Sequence, residues 1–314
     1  MNNIALNPEP TLQTLIESTA PDTMDYIADL IFPEVTSETL TGNFGRLDEG
    51  AMRIVSTAVK GLSKNVVNYK FDTNATFSVE DHELENVITA NDAERLGGMA
   101  AAKEIINMLL YDNILKSREN AIAASLKSTS IMTRYTSLSA KWSTSTNPVL
   151  SIIKTAKDSI ANYTGKIANT IIMGYPVYSA LQIHPEIYSV LWPGKNASPA
   201  LITDGQLASA LGVERILVGR ATYNSAKEGQ TGSPAFIWGK DCIVAYIASS
   251  AQARFSATLG AKIVCPSKMP KQYVGSYVPE GKSENQVTVI KQGGNWDDKI
   301  INVNAGYLIS GAVA

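Results

Sequence analysis

Between Met99 and Thr146 the chain carries neither glycine nor proline, and the first half of that stretch is rich in Ala, Leu, Met, Lys and Glu. These are the residues that lose least on entering a helix. Leu96, Met99, Ala100, Ile106, Leu109, Leu110 and Leu126 recur at helical spacing, with Asn91 or Asp92 placed to cap the start. The pattern predicts one helix from about 91 to 127, roughly 55 Å long at 1.5 Å per residue. Its apolar stripe has the breadth of a core-facing helix, not the narrow seam of a coiled coil. A helix of this length is expected to lie against a sheet, with Leu109 on its buried side.

Proline placement organises what precedes it. Pro8, Pro10, Pro21 and Pro33 fall in the first 33 residues, and the next proline is Pro148. Residues 1–38 read as an extended arm with one or two helical turns that lies on another surface and adds little to a core of its own. Residues 39–88 carry strand signals at 52–59, 66–71 and 76–79, followed by the acidic run Glu80-Asp-His-Glu-Leu-Glu85. They suggest a long β-hairpin that needs a neighbour. After Trp142 the text alternates. Helices are expected over 148–163, 176–191 and up to Leu211, and strands over 167–173, 215–218, 235–238, 242–247, 262–264, 287–290, 300–303 and 307–309.

Composition narrows the function. At 45% hydrophobic the 314 residues can bury a sizeable core, whereas 18% charged is low beside the roughly 25% of ordinary chains. A net charge of −2 argues against a dedicated nucleic-acid binder. No secretory signal and no long apolar run occurs, so neither export nor a membrane span is expected. Cys242 and Cys265 lack a CxxC partner and read as buried thiols. His82 and His184 stand too isolated for a metal site. Gly281-Lys282-Ser283 lacks the upstream glycine of a phosphate loop, and Glu80, Asp81, Glu83 and Glu85 read as a solvated face. No catalytic constellation, cofactor site or metal site emerges, which leaves a structural or interaction protein.

An ordered series of motifs then resembles the major capsid proteins of tailed bacteriophages, whose fold is shared with encapsulin shells. Ile27-Ala-Asp-Leu-Ile-Phe-Pro-Glu-Val35 is similar to the family's arm motif. Phe71 to Val87 resembles the return of its E-loop, and Met108-Leu-Leu-Tyr-Asp through Arg118-Glu119 resembles its spine helix. Trp142 with Asn147-Pro148 looks like the family's Trp…Asp-Pro, with Asn in place of Asp. Asn162 to Gly174, Ala180 to Ile187, Leu207 to Ala221, Phe236-Ile-Trp-Gly239 and Ala305 to Ile309 continue the series in order along nearly the whole chain.

The resemblance implies an α+β protomer with the tailed-phage major capsid fold. Its parts would be an N-terminal arm (1–38), an E-loop β-hairpin (39–88), a peripheral domain holding the spine helix (89–146), an axial domain (147–231), return strands of the peripheral domain (232–296) and C-terminal strands (297–314). It implies a non-enzymatic subunit that forms pentamers and hexamers of an icosahedral shell around packaged double-stranded DNA, made in the host cytoplasm and found in the virion. The partners implied are other copies of the chain, a separate scaffolding protein, a portal and a decoration protein. With Met1 at its start, no cleaved N-terminal scaffold is expected. Assembly contacts are expected at Leu15, Ile31, Phe32, Lys60, Lys64 and Lys70. Some members of the fold cross-link an E-loop lysine to a distant asparagine; for these lysines solubility alone is the plainer reading. An encapsulin-type compartment around a cargo enzyme is the alternative, and a catalytic or small-molecule-binding protein with a deep polar pocket is a third.

Overall fold

The computed structural model describes residues 7–8, 26–43, 46–47, 71–72, 76–193, 202–226, 229–249 and 257–314. Two sheets carry the architecture. The first has five strands in the order Arg215–Gly219, Thr170–Gly174, Cys242–Ala245, Gly306–Ser310, Tyr135–Ser137. Its outer pairs are parallel and its two inner pairings antiparallel. Thr170-Ile-Ile-Met-Gly174 and Cys242-Ile-Val-Ala245 are buried throughout, as a strand must be when both faces of its sheet are covered. Alternation decides which face each side chain takes. Ile171, Met173, Val218, Cys242, Val244 and Ile309 pack beneath the helices Leu150–Thr164, Tyr175–Gln182, Pro185–Leu191 and Asp204–Leu211. Ile172, Leu217, Ile243, Ala245 and Leu308 face the opposite way, onto Ile122, Ala123 and Leu126 of the long helix.

The second sheet has six strands built on Val287–Ile300. One edge of this long strand pairs with Glu80–Thr89 through ten antiparallel residue pairs, from Val287 opposite Thr89 to Trp296 opposite Glu80. The long strand also pairs antiparallel with Tyr273–Tyr277 and with Gly260–Val264. Outside these, Asn7–Pro8 pairs with Tyr273–Tyr277, and Glu34–Thr36 runs parallel to Gly260–Val264. Ile88, Val274 and Ile290 cover one face of this sheet and receive Ala102 and Leu110 of the helix Met99–Lys127. That helix, about 43 Å long, therefore backs one sheet with its first half and the other with its second.

Several expectations are corrected. The long helix does not begin at 91. A short helix, Ala90–Arg95, is capped by the Thr89 hydroxyl accepting from Asp92 N–H. The chain then breaks at Gly97 and Gly98, whose positive φ angles of 90° and 114° are open to glycine and costly for other residues. Leu109 is 53% exposed while Leu110 is 7% exposed, so the buried stripe runs through Ala102, Leu110, Ile114, Ile122 and Leu126 and leaves Leu109 outside. The segment read as a helix over 176–191 is two helices separated at Ile183-His184, and Pro185 opens the second. The acidic run, read as a solvated face, belongs to the exposed strand Glu80–Thr89. The strand expected at 287–290 extends through Gly293 and Gly294 to Ile300, and 303–305 form a 3-10 turn. The runs at 52–59 and 66–70 lie outside the described residues.

Candidate functional site

Residues 26–36 take part in a buried polar node that joins the arm's end to the long helix. The short helix Ala28–Ile31 presents its first N–H groups to a carboxylate on the long helix: Ala28 N donates to Glu119 Oε2 at 2.8 Å and Ile27 N at 3.2 Å. Glu119 is fully buried, and its other oxygen accepts from the Trp238 indole N–H. Burial pushes its carboxyl above the ordinary glutamate range, against the pull of Trp238, the two backbone donors and Arg118. Trp238 can reach this position because Gly219 has no side chain. A Cβ there would stand 1.9 Å from the indole Cδ1.

One residue before Glu119, Arg118 grips Asp298 with two hydrogen bonds of 2.7 and 3.0 Å and Asp29 with one of 2.6 Å. Burial works against the guanidinium charge, but Asp298 and Asp29 more than offset it and hold Arg118 well above its ordinary value. Burial would raise Asp29, yet Arg118 and Lys262 together keep it below the usual carboxylate range. Lys262 reaches Asp29 at 3.3 Å. Nearby His82 stacks on Trp296 with ring centroids 4.4 Å apart. The node thus ties residues 26–36 to the long helix and to both sheets.

This placement changes the reading of two expected assembly residues. Ile31 and Phe32 are 0% and 2% exposed inside the protomer, packed in the cluster that holds Ile122, Leu126, Ile243 and Leu308. The arm's end therefore belongs to the protomer core, because the short helix offers the second face of the five-stranded sheet a cover that the long helix alone does not complete. Leu15, Lys60, Lys64 and Lys70 lie outside the described residues. Glu119 and Trp238 entered the sequence reading only as members of motifs, and Asp298 not at all. The available signal was the Arg118-Glu119 pair, two charges set in the apolar stripe of a helix.

The outer surface is of another kind. Ile105, Met108 and Leu109 leave an apolar strip on the long helix exposed. An open groove of about 700 Å³ lies between Asn113, Lys116 and Asn120 of that helix and the Thr222–Asn224/Pro234–Phe236 hairpin. Its lining of amides and hydroxyls suits backbone groups better than a reacting centre. His184 Nδ1 accepts from Glu186 N–H at the start of its helix, and burial pushes the Cys242 thiol up and out of nucleophilic range. No metal-binding cluster occurs among the described residues, and none of their helices is long and apolar enough to cross a membrane. What this surface can do is meet other surfaces.

No family model matches the sequence. The chain is 22% identical over 301 residues to a major capsid protein of Burkholderia phage BcepMu, an alignment covering 91% of each chain. Among solved structures it resembles a phage-related protein from Bordetella bronchiseptica RB50, with a TM-score of 0.70, 20% identity and 98% of each chain covered. It also resembles the capsid of cyanophage P-SCSP1u, with a TM-score of 0.54, 9% identity, and 90% of this chain and 87% of that one covered. The protomer has the α+β fold of tailed-phage capsid proteins.

Proposed function

We propose that the chain is a major capsid protein, a structural subunit that self-assembles into an icosahedral phage shell. The end-to-end similarity to the BcepMu capsid protein, at matching length, carries this reading. The exposed apolar strip on the long helix and the polar groove beside it are surfaces a subunit would bury in a shell. The encapsulin alternative shares the fold, but the curated relative is a phage protein, which favours the phage shell. In this reading the subunit is not catalytic. It forms pentamers and hexamers around packaged double-stranded DNA, with a scaffolding protein, a portal and a decoration protein as partners, and is made in the host cytoplasm before residing in the virion. Its arm (1–38), E-loop (39–88), peripheral (89–146 and 232–296) and axial (147–231) regions divide the work of contact between neighbours.

Sedimentation and negative-stain microscopy of the purified chain, with and without co-expressed scaffold, test the proposal. Capsomers or closed shells are expected. A stable, monodisperse monomer at high concentration in both conditions overturns it.

A further inference from the structure

The long helix and the strand Val287–Ile300 run in the same direction, and three contacts fix their alignment. Lys103 pairs with Glu284 just before the strand begins, Ile114 packs on Trp296, and Arg118 holds Asp298. Counting back from Arg118 at 1.5 Å per residue puts Asn107 about 17 Å up the helix. Counting back from Asp298 at about 3.4 Å per residue puts Gln292 about 20 Å up the strand. Alternation turns Gln292 to the same face as Ile290 and Trp296, both of which meet the helix. Asn107 stands three residues before Leu110 among the buried positions of the helix. The two amides therefore occupy the same level of one helix-on-sheet interface.

Both side chains are 0% exposed. Asn107 Nδ2 and Oδ1 and Gln292 Nε2 and Oε1 all lack a hydrogen bond to any protein group. Their surroundings offer none. Leu110, Val274 and Ile290 are apolar, and the Trp296 ring leans over Gly294, where a Cβ would stand 2.7 Å from it. Buried amides left in this way are costly, and protein interiors satisfy nearly all of them. Two amide NH2 groups and two amide oxygens present donors and acceptors in equal measure, as water does. Two neutral side chains would leave an ion uncompensated.

We propose that the interface between the long helix and the six-stranded sheet is a binding site for buried water, which bridges the side chains of Asn107 and Gln292. The bridge also fixes register, because a slip of the strand by one residue carries Gln292 to the other face and strands Asn107. The site belongs to the protomer and is independent of the shell reading. A high-resolution structure of the full chain tests it first. Oxygen density within about 3.2 Å of both amides is expected. Amides in direct contact with each other, or no density between them, overturn the proposal. Urea unfolding of Asn107→Leu, Gln292→Met and the double variant tests it again. Each single change leaves the other amide without its bridge and should raise the unfolding equilibrium constant about tenfold. The double variant removes both amides and should lose clearly less than the two single losses combined. Independent, additive losses overturn the bridge. If a single variant fails to fold, the density in the unaltered chain decides alone.

Discussion

At Glu119 one buried carboxylate accepts from two backbone N–H groups and an indole, and its titration is tied to the arm's attachment. Burial raises its pKa in the folded state relative to about 4.3 in the unfolded chain. A raised folded value means that folding binds a proton, so the contribution of this group is full below the unfolded value and is lost as pH rises through the folded one. Glu119→Gln removes that titration. Urea unfolding across the range from about pH 4 to about pH 7 should show a smaller loss of stability with rising pH in the variant than in the unaltered chain. An unchanged slope would falsify the role given to Glu119. From sequence, Arg118-Glu119 was visible as part of a motif. Its partners were not, because Ile27, Asp29, Trp238 and Asp298 come from segments that meet Arg118 and Glu119 only after both sheets are in place.

Among the elements, the long helix was legible from its period and the acidic strand was not. Helix period reports which side of a cylinder is apolar, but the stripe is broader than the sheet it covers, so its margin stays outside. Leu109 lies on that margin. Leu110→Ala should cost about 2–5 kcal/mol in chemical denaturation, as for other buried Leu truncations. Leu109→Ala should stay within about 0.5 kcal/mol, as ordinary surface changes do. Equal losses would show that both side chains are buried. The run Glu80–Glu85 has poor strand propensity, and it is a strand because Val287–Ile300 supplies ten residues of ladder to pair with. The division of residues 176–191 into two helices was signalled by Pro185, which suits the first turn of a helix and not its interior.

For the whole molecule, the alternation of helices and strands after Trp142 and the long helix before it were enough to expect an α+β chain. Which surfaces are free was not readable, since exposure at Ile105 or Val87 depends on where the two sheets end. The arm divides at a definite place. Deleting residues 1–25 should preserve a single cooperative thermal transition, because Ile27, Ile31, Phe32 and the Glu119 contacts remain. Deleting 1–34 strips those side chains from the second face of the five-stranded sheet and strands Glu119 without its backbone donors. The longer deletion should broaden or abolish the transition, and matching melts for the two truncations would place the arm's end outside the core. The five-stranded sheet also sets a timetable for the chain during synthesis. Gly306–Ser310 lies between Cys242–Ala245 and Tyr135–Ser137, and Thr136 meets Tyr307 across 171 positions of sequence. Until residue 310 has left the ribosome, Tyr135–Ser137 has no place in the sheet and Ile243 has only one strand neighbour. A nascent or prematurely terminated chain therefore lacks a finished sheet, and in the capsid reading proposed above, assembly would wait on chains translated past that strand.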